Sequence, residues 1–507
     1  MRRMLAAIRS AAVFGIDAHD ICVEIDVARG MPYWTLVGLP SGEVKESRER
    51  VSAALANSGF PLPPRRITVS LSPGDTRKAG TGFDLPIAVG LLVATGVLSP
   101  ESVDGLTILG ELGLDGTVRG VRGALSVARH LAGASCVRAL VLPPANVNEA
   151  ALVRSVRLVA PRTLAELVEA LRAGALTPAE PGARAAPIDD PADFSDVVGQ
   201  DAAKRALEIA AAGGHACLLV GPPGAGKTML ARRLPGILPP LSPDESIEVT
   251  TIHSVAGRLP PGAGFMTQPP FRAPHHTIST AGLLGGGRGP MPGEVSLAHR
   301  GVLFLDELPE FRRDALEALR QPLEEGAITI ARAGGSVRLP SRLALVAAMN
   351  PCPCGFRGDP RRACRCGPDA LGRYWSKVSG PILDRIDLVL EVPAVPMEDL
   401  FAGESAEPSA TVRERVVQAR AIAAERNQGG GWNSALSARE LERAAPLVAE
   451  CRQLIRRAAE AFRITARGVV RIHRVARTIA DLAGTGMVRA EHVAEALQYR
   501  MPAGGLR

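Results

Sequence analysis

The segment Gly221-Pro-Pro-Gly-Ala-Gly-Lys-Thr228 joins an apolar run, Ala216-Cys-Leu-Leu-Val220, to a stretch of helical spacing, Met229-Leu-Ala-Arg-Arg-Leu234. A buried strand, a glycine-rich turn and a helix start form the context that a phosphate-binding loop requires. In such a loop successive backbone N–H groups converge on phosphate oxygens, and the helix N-terminus adds partial positive charge. Gly221, Pro222, Pro223, Gly224, Ala225 and Gly226 would supply that cradle, Lys227 would reach the β- and γ-phosphates, and the Thr228 hydroxyl would ligate Mg²⁺. A chance glycine-rich turn is the competing reading, and every fixed position matched between a strand and a helix weighs against it. The residues predict a site for ATP and Mg²⁺.

A second group of acids completes the chemistry. Gly301-Val-Leu-Phe-Leu-Asp-Glu307 reads as a buried strand that delivers two carboxylates at its C-terminal end, where ligands sit in parallel sheets. Asp306 would hold the Mg²⁺ shell and Glu307 would polarise the attacking water. Paired buried carboxylates are costly without a cation, so the pair argues for a metal-bound nucleotide over two exposed strand-end acids. The apolar strand Leu343-Ala-Leu-Val-Ala-Ala-Met349 ends at Asn350, a polar residue placed to reach the γ-phosphate or the water. Cys352, Cys354, Cys364 and Cys366 place half of the 8 cysteines in one short loop. In a reducing compartment four such thiols suggest a structural tetrahedral Zn²⁺, with reduced spectator thiols as the alternative because the spacing is C-x-C. His275-His276 invites a metal reading too, but adjacent residues of an extended chain face opposite ways, which favours a loop role.

These residues need scaffolds. With 507 residues the chain is too long for one ordinary core, and 46% hydrophobic residues with only 3% aromatics imply cores of Ala, Val, Leu and Ile. The net charge of +7 is compatible with a polyanionic partner without proving one. No uncharged apolar run reaches the roughly 18 residues needed to span a bilayer, the N-terminus lacks a signal-peptide cleavage pattern, and 8 cysteines are too few for a disulfide scaffold. A cytoplasmic protein is expected. Residues 1–175 read as an α/β unit with strands at Cys22–Val27, Thr35–Leu39, Ile67–Leu71 and Ala139–Leu142, and 176–192 as an Ala/Pro/Gly-rich linker. Residues 193–397 hold the phosphate loop and its strands. Residues 235–300 are rich in Gly and Pro, and an insertion that long should be functional or carry hairpins. Ile328-Thr-Ile-Ala-Arg-Ala-Gly-Gly-Ser-Val-Arg338 reads as a β-hairpin turning at Gly334-Gly335, with Arg332 and Arg338 as its basic positions. Residues 398–507 are helical. From Thr411 to Arg477 there are 14 arginines and 6 glutamates with no lysine or aspartate, a face that is either phosphate-tracking or simply solvated.

Several marks together carry a family resemblance: Val37-Gly-Leu39, Glu46-Ser-Arg-Glu-Arg-Val51, Phe271-Arg-Ala-Pro-His-His-Thr277, Gly301-Val-Leu-Phe-Leu-Asp-Glu-Leu-Pro309, Asn350-Pro-Cys-Pro-Cys-Gly355 and Arg474-Val-Ala-Arg-Thr-Ile-Ala-Asp-Leu482. Over nearly its full length the chain resembles the magnesium-chelatase-like AAA+ ATPase family of the ComM and YifB type. The resemblance implies an α/β protein with a Lon-protease-like (ribosomal-S5-type) N-terminal domain, a central phosphate-loop AAA+ parallel-sheet domain and a C-terminal helical lid. Lys78-Ala-Gly-Thr-Gly-Phe-Asp-Leu-Pro86 and Gly110-Glu-Leu-Gly-Leu-Asp-Gly-Thr-Val-Arg119 carry the Lon-like likeness, yet Gly82 to Asp84 stand where the serine should be and Leu125 where the lysine should be. Without nucleophile and amine there is no acyl transfer.

The same resemblance implies further roles. Arg332 would lie on a hairpin similar to the one that hexameric replicative helicases project into the ring's pore, touching DNA backbone, with a solvated surface hairpin as the alternative. Arg385, in Ser379-Gly-Pro-Ile-Leu-Asp-Arg385, resembles the arginine finger that completes a neighbour's active site, against a plain helix-end arginine. Arg467 matches the second sensor arginine, with Arg474 its rival. The family implies a ring, expected to be a hexamer, acting on branched or single-stranded DNA in branch migration or helicase work during homologous recombination or natural transformation. A magnesium-chelatase motor subunit and an ATP-dependent protease are the other readings. The Lon-like N-terminal domain argues against the first and the missing dyad against the second.

Overall fold

The computed structural model describes residues 5–74, 78, 80–133, 137–182, 192–260, 262–287, 290–332, 335–359, 362–378, 380–395, 406–427 and 431–500. Most of the expected linker, the 397/398 boundary and Gly334 of the expected hairpin turn therefore lie outside the described residues.

The N-terminal part is a mixed seven-stranded sheet in the order Tyr33–Val37, Arg66–Ser72, Asp17–Ala28, Leu5–Phe14, Leu106–Ile108, Ala139–Val141, Leu158–Val159. Leu5–Phe14 and Asp17–Ala28 pair antiparallel from Leu5↔Asp26 to Phe14↔Asp17, whereas the last three strands run parallel to Leu5–Phe14. Alternation along Asp17–Ala28 buries Ile21, Val23, Ile25 and Val27 and exposes the acids between them, as a sheet with one covered face demands. The cover on that face is the helix Asp84–Ala94, every residue of which is buried.

The central sheet is parallel throughout, in the order Phe271–Arg272, Val302–Leu305, Ala344–Met349, Cys217–Val220, Leu388–Glu391. Its inner strands are continuous apolar runs because both faces are covered. Helices Asp201–Gly213 and Lys227–Ile237 lie on one face. The hairpin, Ala327–Arg332 paired with Gly335–Pro340, lies on the other, sending Ile328, Ile330, Val337 and Leu339 into a core shared with Leu303 and Leu305. Residues 235–300 hold the 13-residue helix Pro243–Val255 as well as short paired strands. The helix starts at Ser242-Pro-Asp-Glu245, whose Ser242 and Glu245 side chains form a reciprocal capping box.

The N-terminal part docks on the central part through its helices and through the turn after its first strand. Arg129 Nη1 donates to Thr251 Oγ1 at 3.2 Å and Asn148 Nδ2 to the Gly262 carbonyl at 2.7 Å. At the Phe14–Ile16 turn, Gly15 has φ +67° and lies so close to Val337 that an added Cβ would meet its Cγ1 at 2.3 Å.

The C-terminal helices Ser409–Arg426, Ala438–Ala444, Ala449–Phe462, Ala466–Leu482 and Ala490–Gln498 share one core with the central sheet. The arginine excess divides in two. Arg415, Arg420, Arg426, Arg471, Arg474 and Arg477 turn inward onto carboxylates and carbonyls, while Arg413, Arg439, Arg443, Arg452, Arg456, Arg457, Arg463 and Arg467 are exposed. Asp481, 2% exposed, accepts from Arg426 at 2.6 Å, from Arg477 at 2.9 Å and from Asn433 at 2.7 Å. Beside it Thr478 meets His215 Nε2 at 2.8 Å, and His215 Nδ1 lies 2.9 Å from Asp387. Burial pushes the Arg477 guanidinium below its usual range, and the charge of Asp481 opposes that shift. Replacing Asp481 by Ala leaves two guanidinium groups without their shared carboxylate. The expected cost is about 3–5 kcal/mol, read as a lower midpoint of thermal or denaturant unfolding; a variant as stable as the parent would rule out this anchoring role.

Candidate functional site

Three parallel strands end side by side, and their exits converge. Val220 pairs with Met349 and Leu305 with Ala347, so the phosphate loop, Asn350 and the Asp306-Glu307 pair emerge along one sheet edge. The Gly221 N–H donates to the Met349 carbonyl at 3.2 Å, continuing the ladder into the loop. Gly224 at φ +79° and Gly226 at φ +86° turn the backbone before the helix Lys227–Ile237 begins. Pro223 to Met229, Asp306, Glu307, Met349 and Asn350 line a cleft of about 410 Å³. That volume is within the usual range for a small-molecule site.

Inside it the side chains are arranged as magnesium and phosphate chemistry requires. Thr228 Oγ1 donates to Asp306 Oδ2 at 2.6 Å, so hydroxyl and carboxylate share one point at which a cation would be held. Lys227 is 8% exposed, and its ammonium donates to the Gly221 carbonyl at 2.7 Å, the Pro222 carbonyl at 2.9 Å and Asn350 Oδ1 at 3.2 Å. Burial pushes its pKa down and the charge of Asp306 opposes the shift. A phosphate oxygen offers the ammonium a charged acceptor in place of neutral carbonyls, which makes the exchange favourable. Asp306 Oδ1 accepts the Glu307 N–H at 2.9 Å, and Glu307 itself takes the left-handed conformation at φ +53°.

The histidine pair lies in a loop, but its rings do not face opposite ways as an extended chain would require: the chain turns at His276 and the ring centroids are 4.1 Å apart. His276 Nδ1 is 3.2 Å from Glu307 Oε2, a contact that sequence reasoning missed because 31 positions separate the two residues.

Among the described side chains, Arg385, Arg467, Arg474 and Arg338 do not line the cleft. Arg385 is ion-paired with Glu324, and burial together with the charges of Arg320, Arg467 and Arg471 pushes its pKa down. Arg467 Nη1 and Arg471 Nη2 approach Asp384 at 3.8 and 3.4 Å. Arg385 and Arg467 therefore stand together in one basic cluster, whereas Arg474 donates Nε to the Leu436 carbonyl at 2.7 Å. Arg332 ends its strand opposite Gly335, and Arg338 is exposed on the partner strand.

The four thiols also converge. Cys352 Sγ is 3.4 Å from that of Cys354 and 3.7 Å from that of Cys364, Cys354 and Cys364 are 3.7 Å apart, and all four sulfurs including that of Cys366 lie within 4.8 Å of one another. Four sulfurs about 2.3 Å from a tetrahedral Zn²⁺ are about 3.8 Å apart, so the donor set fits that ion. This loop presses on the phosphate loop. Gly355, at φ +84°, sits where an added Cβ would lie 2.8 Å from Pro223 Cδ.

Residues 193–400 match the family described as magnesium chelatase, subunit ChlI; residues 23–146 match subunit ChlI of Mg-chelatase; and residues 406–500 match the C-terminal region of magnesium chelatase subunit ChlI. Competence protein ComM of Haemophilus influenzae is 43% identical across 98% of this chain and 97% of its own. Protein YifB of Escherichia coli is 40% identical over 98% of this chain and 97% of its own. The magnesium-chelatase 38 kDa subunit of Rhodobacter capsulatus is 27% identical over 47% of this chain and 68% of its own.

Substituting Gly355 by Ala tests the contact between the two loops. The left-handed backbone alone costs a β-carbon about 1–2 kcal/mol, and the new methyl must displace Pro223. The expected result is a several-fold rise in the dissociation constant for ATP, measured by titration of a fluorescent analogue, with the overall fold kept. Unchanged affinity would separate the cysteine loop from nucleotide binding.

Proposed function

The chain belongs to the magnesium-chelatase-like AAA+ ATPase family of the ComM and YifB type, and from that membership we propose that it is a ring-forming ATP-driven motor acting on DNA. One observation carries the ring. Lys227, Thr228, Asp306, Glu307 and Asn350 share one cleft, while Arg385 and Arg467 are gathered in a separate basic cluster. Two of these seven residues thus lie outside the cleft of their own subunit, and we assign them to a neighbour's. Bound ATP and Mg²⁺ bring the phosphoryl group to be transferred. The chain's own residues do the rest: Lys227 and Asn350 hold the γ-phosphate end, Thr228 and Asp306 hold the cation, Glu307 orients water, and Arg385 meets charge developing across the interface. Arg467 accompanies Arg385 rather than Arg474, and takes the second-sensor role from that side.

DNA is the substrate that fits the rest. The full-length likeness to a competence protein covers 98% of the chain, whereas the chelatase subunit matches 47% of it, which favours a DNA motor over a magnesium-insertion motor. The exposed arginines of the C-terminal helices and Arg338 on the hairpin offer basic positions for phosphate contacts. The activity we assign is branch migration or helicase work in homologous recombination or natural transformation, with Arg332 at the hairpin tip touching backbone. In the N-terminal part, read as a Lon-like domain without its dyad, Asp84 is buried against Arg50 at 2.6 Å and Leu125 is fully buried. Those positions serve packing, and we assign the domain to assembly or substrate contact.

Lys227→Ala and Arg385→Ala should each abolish ATP turnover alone, and mixing the two proteins should restore a fraction of it on a synthetic four-way junction. No recovery on mixing, with both proteins still assembling, would sink the shared site. Wild-type protein should dissociate that junction and Arg332→Ala should not, while keeping basal turnover; a junction that neither stimulates ATPase nor is moved would end the DNA reading. Elemental analysis of the purified chain should find one zinc per chain, lost in Cys364→Ser, and a metal-free protein would leave the thiols as spectators.

A further inference from the structure

The cysteine loop, 351–367, carries four arginines against one acid, Asp359. Its base is fixed. Cys352 is fully buried, the Trp375 indole N–H donates to the Pro351 carbonyl at 3.3 Å, and Gly355 lies against Pro223 of the phosphate loop. The four sulfurs, all within 4.8 Å of one another, tie Cys352 and Cys354 to Cys364 and Cys366. Arg362 and Arg365 flank that knot, and both are exposed. The Arg362 guanidinium lies over the half-buried Phe356 ring, 5.0 Å from its centroid, which holds the side chain in place while its N–H groups stay open to solvent.

Other exposed arginines of the central part are neutralised where they stand. Arg312 meets Asp314 at 3.0 Å and Arg313 meets Glu317 at 2.9 Å. Among the described residues neither Arg362 nor Arg365 has an ion-paired carboxylate. A guanidinium fork matches phosphate oxygens in bidentate geometry, and a polyanion that replaces its small counterions gains their release. An aromatic face beside such groups suits a nucleic-acid strand, whose bases and sugars need an apolar neighbour.

We propose that Arg362 and Arg365 form a DNA-backbone contact of the cysteine loop, separate from the hairpin. This rests on DNA being the substrate. The contact holds phosphate and does not read base sequence. Because Gly355 of the same loop abuts Pro223, which lines the nucleotide cleft, the polymer grip and the cleft are joined through one packed contact.

The test titrates a fluorescent four-way junction with the full chain over a series of salt concentrations. For the wild type, log K should fall linearly with log salt. Replacing Arg362 and Arg365 together by Ala should make the slope shallower by about 1.8, two contacts at about 0.9 each on duplex DNA. Replacing both by Lys keeps the charge and should keep the wild-type slope. Arg313→Ala, at a guanidinium already paired with Glu317, should leave the slope where it was. An Ala double variant with the wild-type slope, a Lys double variant that behaves like the Ala one, or an equal loss per residue in Arg313→Ala would each overturn the contact and leave the DNA reading intact. A wild-type chain that shows no salt-dependent binding of the junction would strike the DNA reading itself, and this inference with it.

Discussion

The backbone ladder between Cys217–Val220 and Ala344–Met349 sets the geometry on which the rest depends. Neighbouring strands lie about 4.8 Å apart, and in a parallel pair their C-terminal ends lie on one edge. Lys227 can reach Asn350 only because Val220 and Met349 are partners, and Thr228 can reach Asp306 only because the next strand keeps the same register. A slip of one residue would exchange the two faces of the strand and carry Asn350 out of step with the phosphate loop and the two carboxylates. Leu345 to Met349 are all buried, so these distances are set by strands packed on both faces.

The C-terminal helices depend on the same sheet through polar groups rather than apolar ones alone. His215 precedes the strand Cys217–Val220, Asp387 precedes Leu388–Glu391, and Thr478 belongs to the helix Ala466–Leu482; one imidazole joins all three. The basic charge of this region thus has two uses. Six arginines hold the helices to the sheet and to one another, and eight remain at the surface. Composition alone counts both kinds together.

Local chemistry explains which features were legible in the sequence. The phosphate loop, the Asp306-Glu307 strand, Asn350 and the 327–340 hairpin were readable because each depends on residues close in sequence. The four cysteines were readable as a cluster for the same reason. The helix Pro243–Val255 was not read, because Gly and Pro on either side masked the capping pattern Ser242-Pro-Asp-Glu245. What no local pattern could show was contact across distance: His276 on Glu307, Gly355 on Pro223, and Arg467 beside Arg385 around Asp384. Periodicity gives the face of an element, and only tertiary packing gives its neighbour.

The hairpin is anchored along both of its strands. Ile328, Ile330, Val337 and Leu339 are packed into the core beneath the strand Val302–Leu305, and Gly15 backs Val337 from the N-terminal sheet. Close-packed interiors are nearly incompressible and transmit strain. A shift of either hairpin strand would therefore be felt first at Leu303 and Leu305, in the strand that leads to the two carboxylates.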